Sequence, residues 1–135
     1  MRYGIFADVH GNLPAFQAVL KAMQSESLDQ YLCLGDIVGY GANPLECLDL
    51  VRNINAISVA GNHEWGILDK INPNDFNDMA RQALLWTKDH VSEEAVSFLD
   101  TLELVFQNAD LMMAHSALPD PERFEYLTNF DQLVE

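Results

Sequence analysis

The feature of this sequence that most constrains its fold is the alternation of short apolar runs with helical patterns. Three apolar runs, at 2–8, 30–36 and 56–62, each lead into a polar turn that contains glycine. Between them lie 13–24 and 43–54, where apolar side chains recur at the intervals of an amphipathic helix. Strands that alternate with helices at this spacing predict βαβ units, a parallel sheet with right-handed crossovers and an α/β fold.

Two asparagines mark the expected starts of these helices. Asn12 can cap the first helix, which has Pro14 in its first turn. Asn43 can cap the second, with Pro44 at the first helical position. Because ligands bind beyond the carboxyl ends of the strands in open α/β sheets, the turns after the three strands are expected to converge in space.

The second half of the chain predicts helices followed by a hairpin. Residues 74–102 have helical periodicity and predict two helices that divide near Val91. Residues 103–117 predict two strands about a tight turn at 108–110. The rest is expected to be loop, with a final helix from Asn129 as one further expectation.

Composition limits the classes of function. With 135 residues, 49% of them apolar, the chain fits one globular domain. Its net charge of −14 repels polyanions and argues against non-specific nucleic-acid binding. A small phosphorylated substrate is still compatible, because bound divalent cations can reverse the local charge. Cys33 and Cys47 have no zinc-type spacing, and no apolar run is long enough to cross a membrane, so we expect reduced core thiols, no membrane association and a cytoplasmic location.

Polar side chains of one chemical kind follow the predicted strands. Carboxylates, neutral imidazoles and an amide oxygen suit divalent Mn, Fe, Co, Ni and Zn, and a carboxylate can bridge two such ions that activate water and clamp a phosphoryl group. The absence of thiolates among them makes a structural zinc site improbable. The candidates at the strand ends are Asp8 with His10, Asp36, Asn62 with His63, and His115.

Most of these signals are weak when taken alone. The triplet from Asp8 to His10 arises readily by chance, and a lone His115 is more often a buried or capping histidine. The stretch Gly-Asn-His-Glu at 61–64 is far more specific, given average residue usage. His90 is set apart, because it lies near a predicted helix C-terminus, where a positive charge is ordinary.

Taken in order, the motifs resemble those of the calcineurin-like metallophosphoesterases. The matching stretches are "DVH" from Asp8, "GDIVGYG" from Gly35, "GNHE" from Gly61 and "AHS" from Ala114, so the resemblance covers nearly the whole chain. It implies a layered α/β fold of βαβ units with a parallel sheet, plus a second sheet begun by the C-terminal hairpin. It also implies hydrolysis of a phosphomonoester or phosphodiester by metal-activated hydroxide at a binuclear centre.

The resemblance assigns the metal ligands residue by residue. Asp8 and His10 would bind the first of two divalent ions, and Asp36 would bridge both. Asn62 and His115 would bind the second. The ions would be Mn, Fe, Zn, Ni or Co, with manganese as the working choice.

The same resemblance assigns His63 to the substrate, whereas three nearby residues each have two possible roles. His63 would stay off the metals and act as general acid or oxyanion stabiliser at the leaving group. Asn12 is a candidate substrate contact or a helix cap, with capping favoured. Glu64 is expected either to orient His63 or to cap the following turn. Tyr40 is a candidate for stacking on an aromatic group, with simple packing favoured.

Departures from the family pattern narrow the substrate. The phosphoprotein phosphatases have an Asp and an Arg where this chain has Gly39 and Tyr40, and a second Arg where it has Ala60. A protein phosphatase is therefore disfavoured. The stretch from Gly35 to Arg52 instead resembles small prokaryotic phosphoesterases related to dinucleoside polyphosphate hydrolases, so the expected substrate is small and phosphorylated, with nucleotides among the candidates.

The family's last motif, Gly-His-x-His, is not found after His115. We therefore expect residues 1–135 to be one metallophosphoesterase domain, the N-terminal portion of a longer one, with a fold incomplete at its C-terminus. An exposed sheet edge would then favour oligomerisation. The alternative function is a non-catalytic metal-binding or protein-interaction module that retains the fold. A plain nucleotide-binding domain is disfavoured, because the sequence contains neither the Gly-x-Gly-x-x-Gly motif nor the Walker-type Gly-x-x-x-x-Gly-Lys-Ser/Thr motif.

Overall fold

A computed structural model describes residues 1–118 and 120–126 of the chain. The first half alternates strand and helix: β1 (Tyr3–Phe6), α1 (Leu13–Gln24), β2 (Gln30–Cys33), α2 (Pro44–Asn53) and β3 (Ile57–Ser58). There follow α3 (Asn62–Ile67), α4 (Asp78–His90), α5 (Glu93–Asp100), β4 (Val105–Gln107) and β5 (Met112–Ala114). Short 3₁₀ turns lie at Pro73–Asp75 and Pro121–Arg123.

Two small sheets confirm the predicted fold class. Strands β1, β2 and β3 form a parallel sheet in that order, with Tyr3 opposite Gln30 and Cys33 opposite Ser58. Strands β4 and β5 pair in antiparallel fashion as the expected hairpin, with Phe106 opposite Met113. The molecule is therefore a mixed α/β fold with a second, antiparallel sheet, as the resemblance implied.

Local signals account for most helix boundaries. The Asn12 carboxamide oxygen accepts from the Ala15 N–H at 3.3 Å and caps α1. The division near Val91 is confirmed, because α4 ends at His90 and the Ser92 hydroxyl oxygen caps α5 at 3.1 Å from the Ala95 nitrogen. Asn43 directly precedes α2 and Pro44 begins it, as expected. However, the Asn43 side chain donates to Glu46 at 3.1 Å and accepts no capping bond from the described helix.

The third strand differs from the prediction. The run at 56–62 forms a strand of two residues, and its last residue already begins α3. The Val59 N–H still donates to the Cys33 carbonyl at 3.0 Å, and the chain here also pairs with the segment before the hairpin. Val59 forms a parallel bridge to Glu103, and the Ala60 N–H donates to the Glu103 carbonyl at 2.8 Å. A short helix at Asn62–Ile67 was therefore missed.

The core lies on both faces of the parallel sheet. Neighbouring strand residues point to opposite faces, so Cys33 joins the large cluster with Leu48 and Leu99, whereas Leu32 joins a smaller one with Met113. The helices thus pack on one face and the hairpin on the other. Both cysteines are buried free thiols, as expected.

Three expectations about the surface and the C-terminal end have different outcomes. Within the described residues, no helix combines the length and apolarity needed to cross a membrane. An apolar groove of about 370 Å³ between the two sheets includes the exposed side chains Ile5, Met112 and Leu118, but oligomerisation stays a prediction. The expected helix from Asn129 lies outside the described residues.

We predict that Leu84→Ala destabilises the fold strongly. Leu84 is fully buried on α4 and packs on Gly66 of α3, so its truncation should lower the free energy of unfolding by roughly 2–5 kcal/mol. The matched control is Leu85→Ala, since Leu85 is 47% exposed and its loss should cost under about 1 kcal/mol. Urea unfolding of both variants checks this, and equal losses would contradict the placement of α4.

Candidate metal centre

The loops after β1 and β2 run side by side beyond the parallel sheet. The Asp8 N–H donates to the Gly35 carbonyl at 3.1 Å, and the His10 N–H donates to the Asp36 carbonyl at 2.9 Å. These bonds continue the parallel ladder past the strands. They bring the polar turns together at the carboxyl edge, where the topology places them.

Asp36 lies at the centre of the cluster and is only 3% exposed. Its Oδ1 accepts from the His63 backbone N–H at 3.0 Å. Its Oδ2 lies 3.6 Å from Nε2 of His10 and 3.4 Å from Nε2 of His115. Burial alone would raise the pKa of Asp36, but the hydrogen bond and charge of His115 outweigh burial and lower it.

The two flanking histidines are oriented alike by backbone carbonyls. Nδ1 of His10 lies 3.0 Å from the Val38 carbonyl oxygen, and Nδ1 of His115 lies 2.7 Å from that of Leu34. A carbonyl oxygen only accepts, so each Nδ1 carries the hydrogen and each Nε2 is directed at Asp36. Fixing the tautomer in this way is how proteins prepare imidazole Nε2 to ligate a metal.

Asp8 and Asn62 are the two remaining candidate ligands. The Asp8 carboxylate is exposed and lies 3.7 Å from Nε2 of His10. Asn62 is the first residue of α3, is half-buried, and lines one cavity with His115 and another with His63. Both side chains therefore border the space around Asp36.

Two sets of three side chains place ligand atoms within 4.8 Å of one another, and Asp36 belongs to both. One set adds Asp8 and His115, and the other adds His10 and His63. Their carboxylates and imidazoles, with the Asn62 amide nearby, are chemically suited to the expected divalent ions. By distance alone His63 belongs to a set, so its expected role away from the metals stays a prediction.

His63 is buried within a group of rings. Its ring centroid lies 4.7 Å from that of His10, 4.9 Å from that of Tyr40 and 5.4 Å from that of Phe76. Its Nδ1 is buried with no hydrogen-bond partner in the described part of the chain. Burial lowers the pKa of His63, so the imidazole is neutral at pH 7.

Gly39 lets the His63 ring approach the backbone. A Cβ at position 39 would lie 2.2 Å from His63 Nδ1, and the φ of +89° is one that side-chain-bearing residues rarely adopt. A carboxylate at this position, as in the phosphoprotein phosphatase pattern, would collide with the ring. The imidazole is held by packing instead of a hydrogen bond to Nδ1.

Glu64 is fully buried, and its carboxylate binds backbone N–H groups from two loops. Oε2 accepts from Asp36 and Gly61, both at 2.7 Å. Oε1 accepts from Ile37 at 2.8 Å and Val38 at 3.2 Å. The carboxylate thereby caps α3 at Gly61 and ties that helix to the Asp36 loop, while its bonds within the described residues do not include the His63 imidazole.

Four of the eight non-glycine residues with a positive φ in the described part of the chain lie at the site. Asp8, His10, Asp36 and Tyr40 have φ of +53°, +48°, +52° and +58°, in the left-handed region that residues with side chains usually avoid. Each such conformation costs on the order of 1–3 kcal/mol and persists where the surroundings enforce it, commonly at functional sites. The sequence pattern gave no sign of this strain.

The geometry brings together carboxylates and imidazoles that could hold a metal ion, and comparison with known proteins identifies the family. The sequence profile of the calcineurin-like phosphoesterases matches residues 1–134. The chain therefore belongs to the calcineurin-like phosphoesterase family, which confirms the resemblance drawn from its motifs.

Individual relatives agree with this assignment. An uncharacterised protein of Methanocaldococcus jannaschii is 41% identical over 127 residues, or 91% of this chain and 52% of that protein. A symmetrical bis(5′-nucleosyl)-tetraphosphatase of Actinobacillus pleuropneumoniae is 35% identical over 80 residues, or 53% of this chain and 30% of that protein.

Solved structures agree as well. A metallophosphoesterase from Sphaerobacter thermophilus superposes with a TM-score of 0.68 at 40% identity, covering 83% of this chain and 45% of that one. A hypothetical protein from Pyrococcus horikoshii shares the fold, with a TM-score of 0.67 at 22% identity over 76% of this chain and 48% of its own. The chain thus spans about half the length of these two structures and of the Methanocaldococcus protein.

We predict that Glu64→Gln destabilises the chain. A glutamine keeps the shape but turns an NH₂ group toward backbone N–H donors, which should cost about 3 kcal/mol, the order of a lost charge-assisted hydrogen bond with a donor left unpaired. Urea unfolding at pH 8 measures the loss, since burial raises the pKa of Glu64 to about 7. Glu26→Gln, which removes only an exposed ion pair with Arg2, is the control. Equal stability of the two variants would contradict the role of Glu64.

We also predict that the metal-free chain loses stability as the pH rises from 6.5 to 8.5. Burial would lower the pKa of His115, but its hydrogen bond and charge interaction with Asp36, aided by Asp8, raise it to about 9. A raised folded-state pKa gives stability that is complete below the unfolded pKa of about 6.5 and is lost as the pH passes through 9.

Thermal unfolding in a chelating buffer checks this dependence. The melting temperature should fall over this range, and His115→Gln should flatten the slope because it removes the titrating group. A melting temperature that rises with pH would show that His115 is not paired with Asp36 in the metal-free chain.

Proposed function

We propose that the chain hydrolyses a phosphomonoester or phosphodiester with two divalent ions held around Asp36. The observation that carries this proposal is that His10 and His115 both direct Nε2 at Asp36 Oδ2, at 3.6 and 3.4 Å, while each Nδ1 faces a backbone carbonyl. Histidines whose Nδ1 is engaged by a backbone carbonyl, so that Nε2 faces a shared carboxylate, form a prepared ligand set.

The proposed ligands divide on either side of Asp36. Asp8 and His10 would hold one ion, and Asn62 and His115 the other, with Asp36 common to both. The 3.4 Å contact between Asp36 and His115 is an ion pair in the metal-free chain, since the pKa of His115 is raised to about 9. A metal at this position would replace the shared proton, so its binding should release one.

The chain's own residues would divide the chemical work. Two ions, when bound, would supply Lewis-acid stabilisation of the phosphoryl oxygens and lower the pKa of a water molecule. His63 would donate Nε2–H to the leaving oxygen, because its unpartnered Nδ1 is better left without a hydrogen and its lowered pKa keeps the ring neutral. A neutral imidazole placed in this way would stabilise the negative charge that develops on the leaving oxygen by donating a hydrogen bond to it.

The proposed substrate is small and phosphorylated, with nucleotides among the candidates. The Actinobacillus relative is named a bis(5′-nucleosyl)-tetraphosphatase, and it is 35% identical over 53% of this chain. A net charge of −14 would oppose long polyanions, whereas bound cations would admit a single phosphate group.

We predict that the Mn²⁺-loaded chain hydrolyses bis(4-nitrophenyl) phosphate and that Asp36→Asn abolishes this activity. Loss of groups that only support a metal ligand already costs 10–100-fold, so loss of the shared ligand should lower kcat/KM by more than about 100-fold. Asp49→Asn is the control, because Asp49 is exposed on α2 and its only described ion pair, with Arg52, spans 3.8 Å. Unchanged activity in Asp36→Asn would contradict the proposal.

His63→Gln separates hydrolysis from metal binding. It should lower kcat by about 100-fold or more while the chain still binds Mn²⁺ as measured by calorimetry. Loss of metal binding in this variant would make His63 a ligand instead. Tight Mn²⁺ binding by the unsubstituted chain without any turnover would favour the alternative function, a non-catalytic metal-binding module.

A further inference from the structure

A cavity of about 250 Å³ opens beside the candidate metal centre. Its inner end is formed by Asn62 and His63, the residues at the start of α3. Its walls include Tyr40, Phe76 and Phe124, which come from three separate segments of the chain. Of these three, Tyr40 was a candidate from the sequence, whereas the two phenylalanines were not, because they lie outside every recognised motif.

The aromatic walls are held against the histidines of the site. The ring centroids of Tyr40 and Phe76 lie 4.9 and 5.4 Å from that of His63. The Phe124 ring lies 6.1 Å from that of His115. A ligand in the cavity would therefore lie next to the groups that are proposed to act on phosphate and in contact with aromatic side chains.

Phe124 is fixed independently of the site. Its ring packs edge-on against Trp65 with centroids 5.4 Å apart, and its backbone has a φ of +47°. A bulky residue in this conformation is uncommon and is held by its surroundings. The wall formed by Phe124 is thus preformed.

Polar groups complete the lining. Asp75, Asn77 and Arg123 reach the cavity, and Arg123 is the one cation among its described lining residues. The side-chain oxygen Oδ1 of Asn77 caps α4 by accepting from the Ala80 N–H at 2.9 Å. The side-chain NH₂ group of Asn77 is left as a donor. Such a combination of flat apolar walls and a few donors and acceptors suits a planar ring with polar edge atoms.

We propose that this cavity binds a planar heteroaromatic ring carried by the phosphoester substrate, with Tyr40 and Phe76 as its stacking surfaces. The inference rests on the proposed function, because it places the substrate's phosphate at Asp36. The volume is just below the roughly 300–1,000 Å³ of pockets that enclose drug-sized ligands, so it has room for one ring system.

The test compares two phosphate esters that differ mainly in the ring. Adenosine 5′-monophosphate and ribose 5-phosphate share the sugar and the phosphate, and titration calorimetry measures the binding of each to the Mn²⁺-loaded chain. We expect the adenosine compound to bind about 10-fold more tightly, as base stacking on aromatic side chains implies. Equal affinities, or no measurable binding of either compound, would overturn the proposal.

Variants locate the ring. Phe76→Leu and Tyr40→Asn should each weaken the binding of adenosine 5′-monophosphate more than that of ribose 5-phosphate and so remove most of the preference, and asparagine tolerates the φ of +58° at position 40. Trp86→Leu is the control, because the 40%-exposed Trp86 stacks on His90, and neither lines the cavity. A preference that survives in both Phe76→Leu and Tyr40→Asn would show that the ring binds elsewhere.

The same experiment separates this proposal from the proposed function. If the chain prefers the adenosine compound but does not hydrolyse bis(4-nitrophenyl) phosphate, the cavity binds rings and the hydrolytic proposal alone fails. If it hydrolyses that diester and shows no preference for the adenosine compound, only the ring proposal fails.

Discussion

The arrangement of the site depends on one buried carboxylate. Glu64 is fully buried and accepts hydrogen bonds from backbone N–H groups at Asp36, Ile37, Val38 and Gly61. These donors belong to two loops that follow different strands, so a single side chain joins them. A buried carboxylate is costly unless it is well hydrogen-bonded, and here that requirement couples the ionisation of Glu64 to the geometry of both loops.

The consequences of this constraint reach the metal ligands through Asp36. The Asp36 N–H donates to the Glu64 carboxylate, and Asp36 Oδ1 accepts from the His63 N–H. This leaves Asp36 Oδ2 to face His10 and His115. The left-handed backbone of Asp36 is maintained within this network. Strain in the loop is thus offset by hydrogen bonds, and the result is one carboxylate oxygen presented to two oriented imidazoles.

Much of the fold followed from local sequence pattern, and much of the site geometry did not. The strand and helix order and the division between α4 and α5 depend on periodicity and capping within a few residues, which a sequence displays directly. The short helix at Asn62–Ile67 was missed although its capping bond from Gly61 to Glu64 is local. The other three N–H groups that hold the Glu64 carboxylate in place come from residues more than 25 positions away. Phe76 and Phe124 could not be assigned to the cavity either, since only tertiary folding brings them to His63 and His115.

Gly39 stands where the phosphoprotein phosphatase pattern has an Asp, and this difference links the proposed chemistry to the proposed ring pocket. With no hydrogen-bond partner for its Nδ1 among the described residues, His63 is positioned by close packing on Gly39 and by the rings of Tyr40 and Phe76. Those two rings also form walls of the adjoining cavity. A ligand that stacks on them would therefore press on the same contacts that orient the imidazole. In this chain, recognition of the substrate's ring and orientation of His63 depend on one set of aromatic contacts.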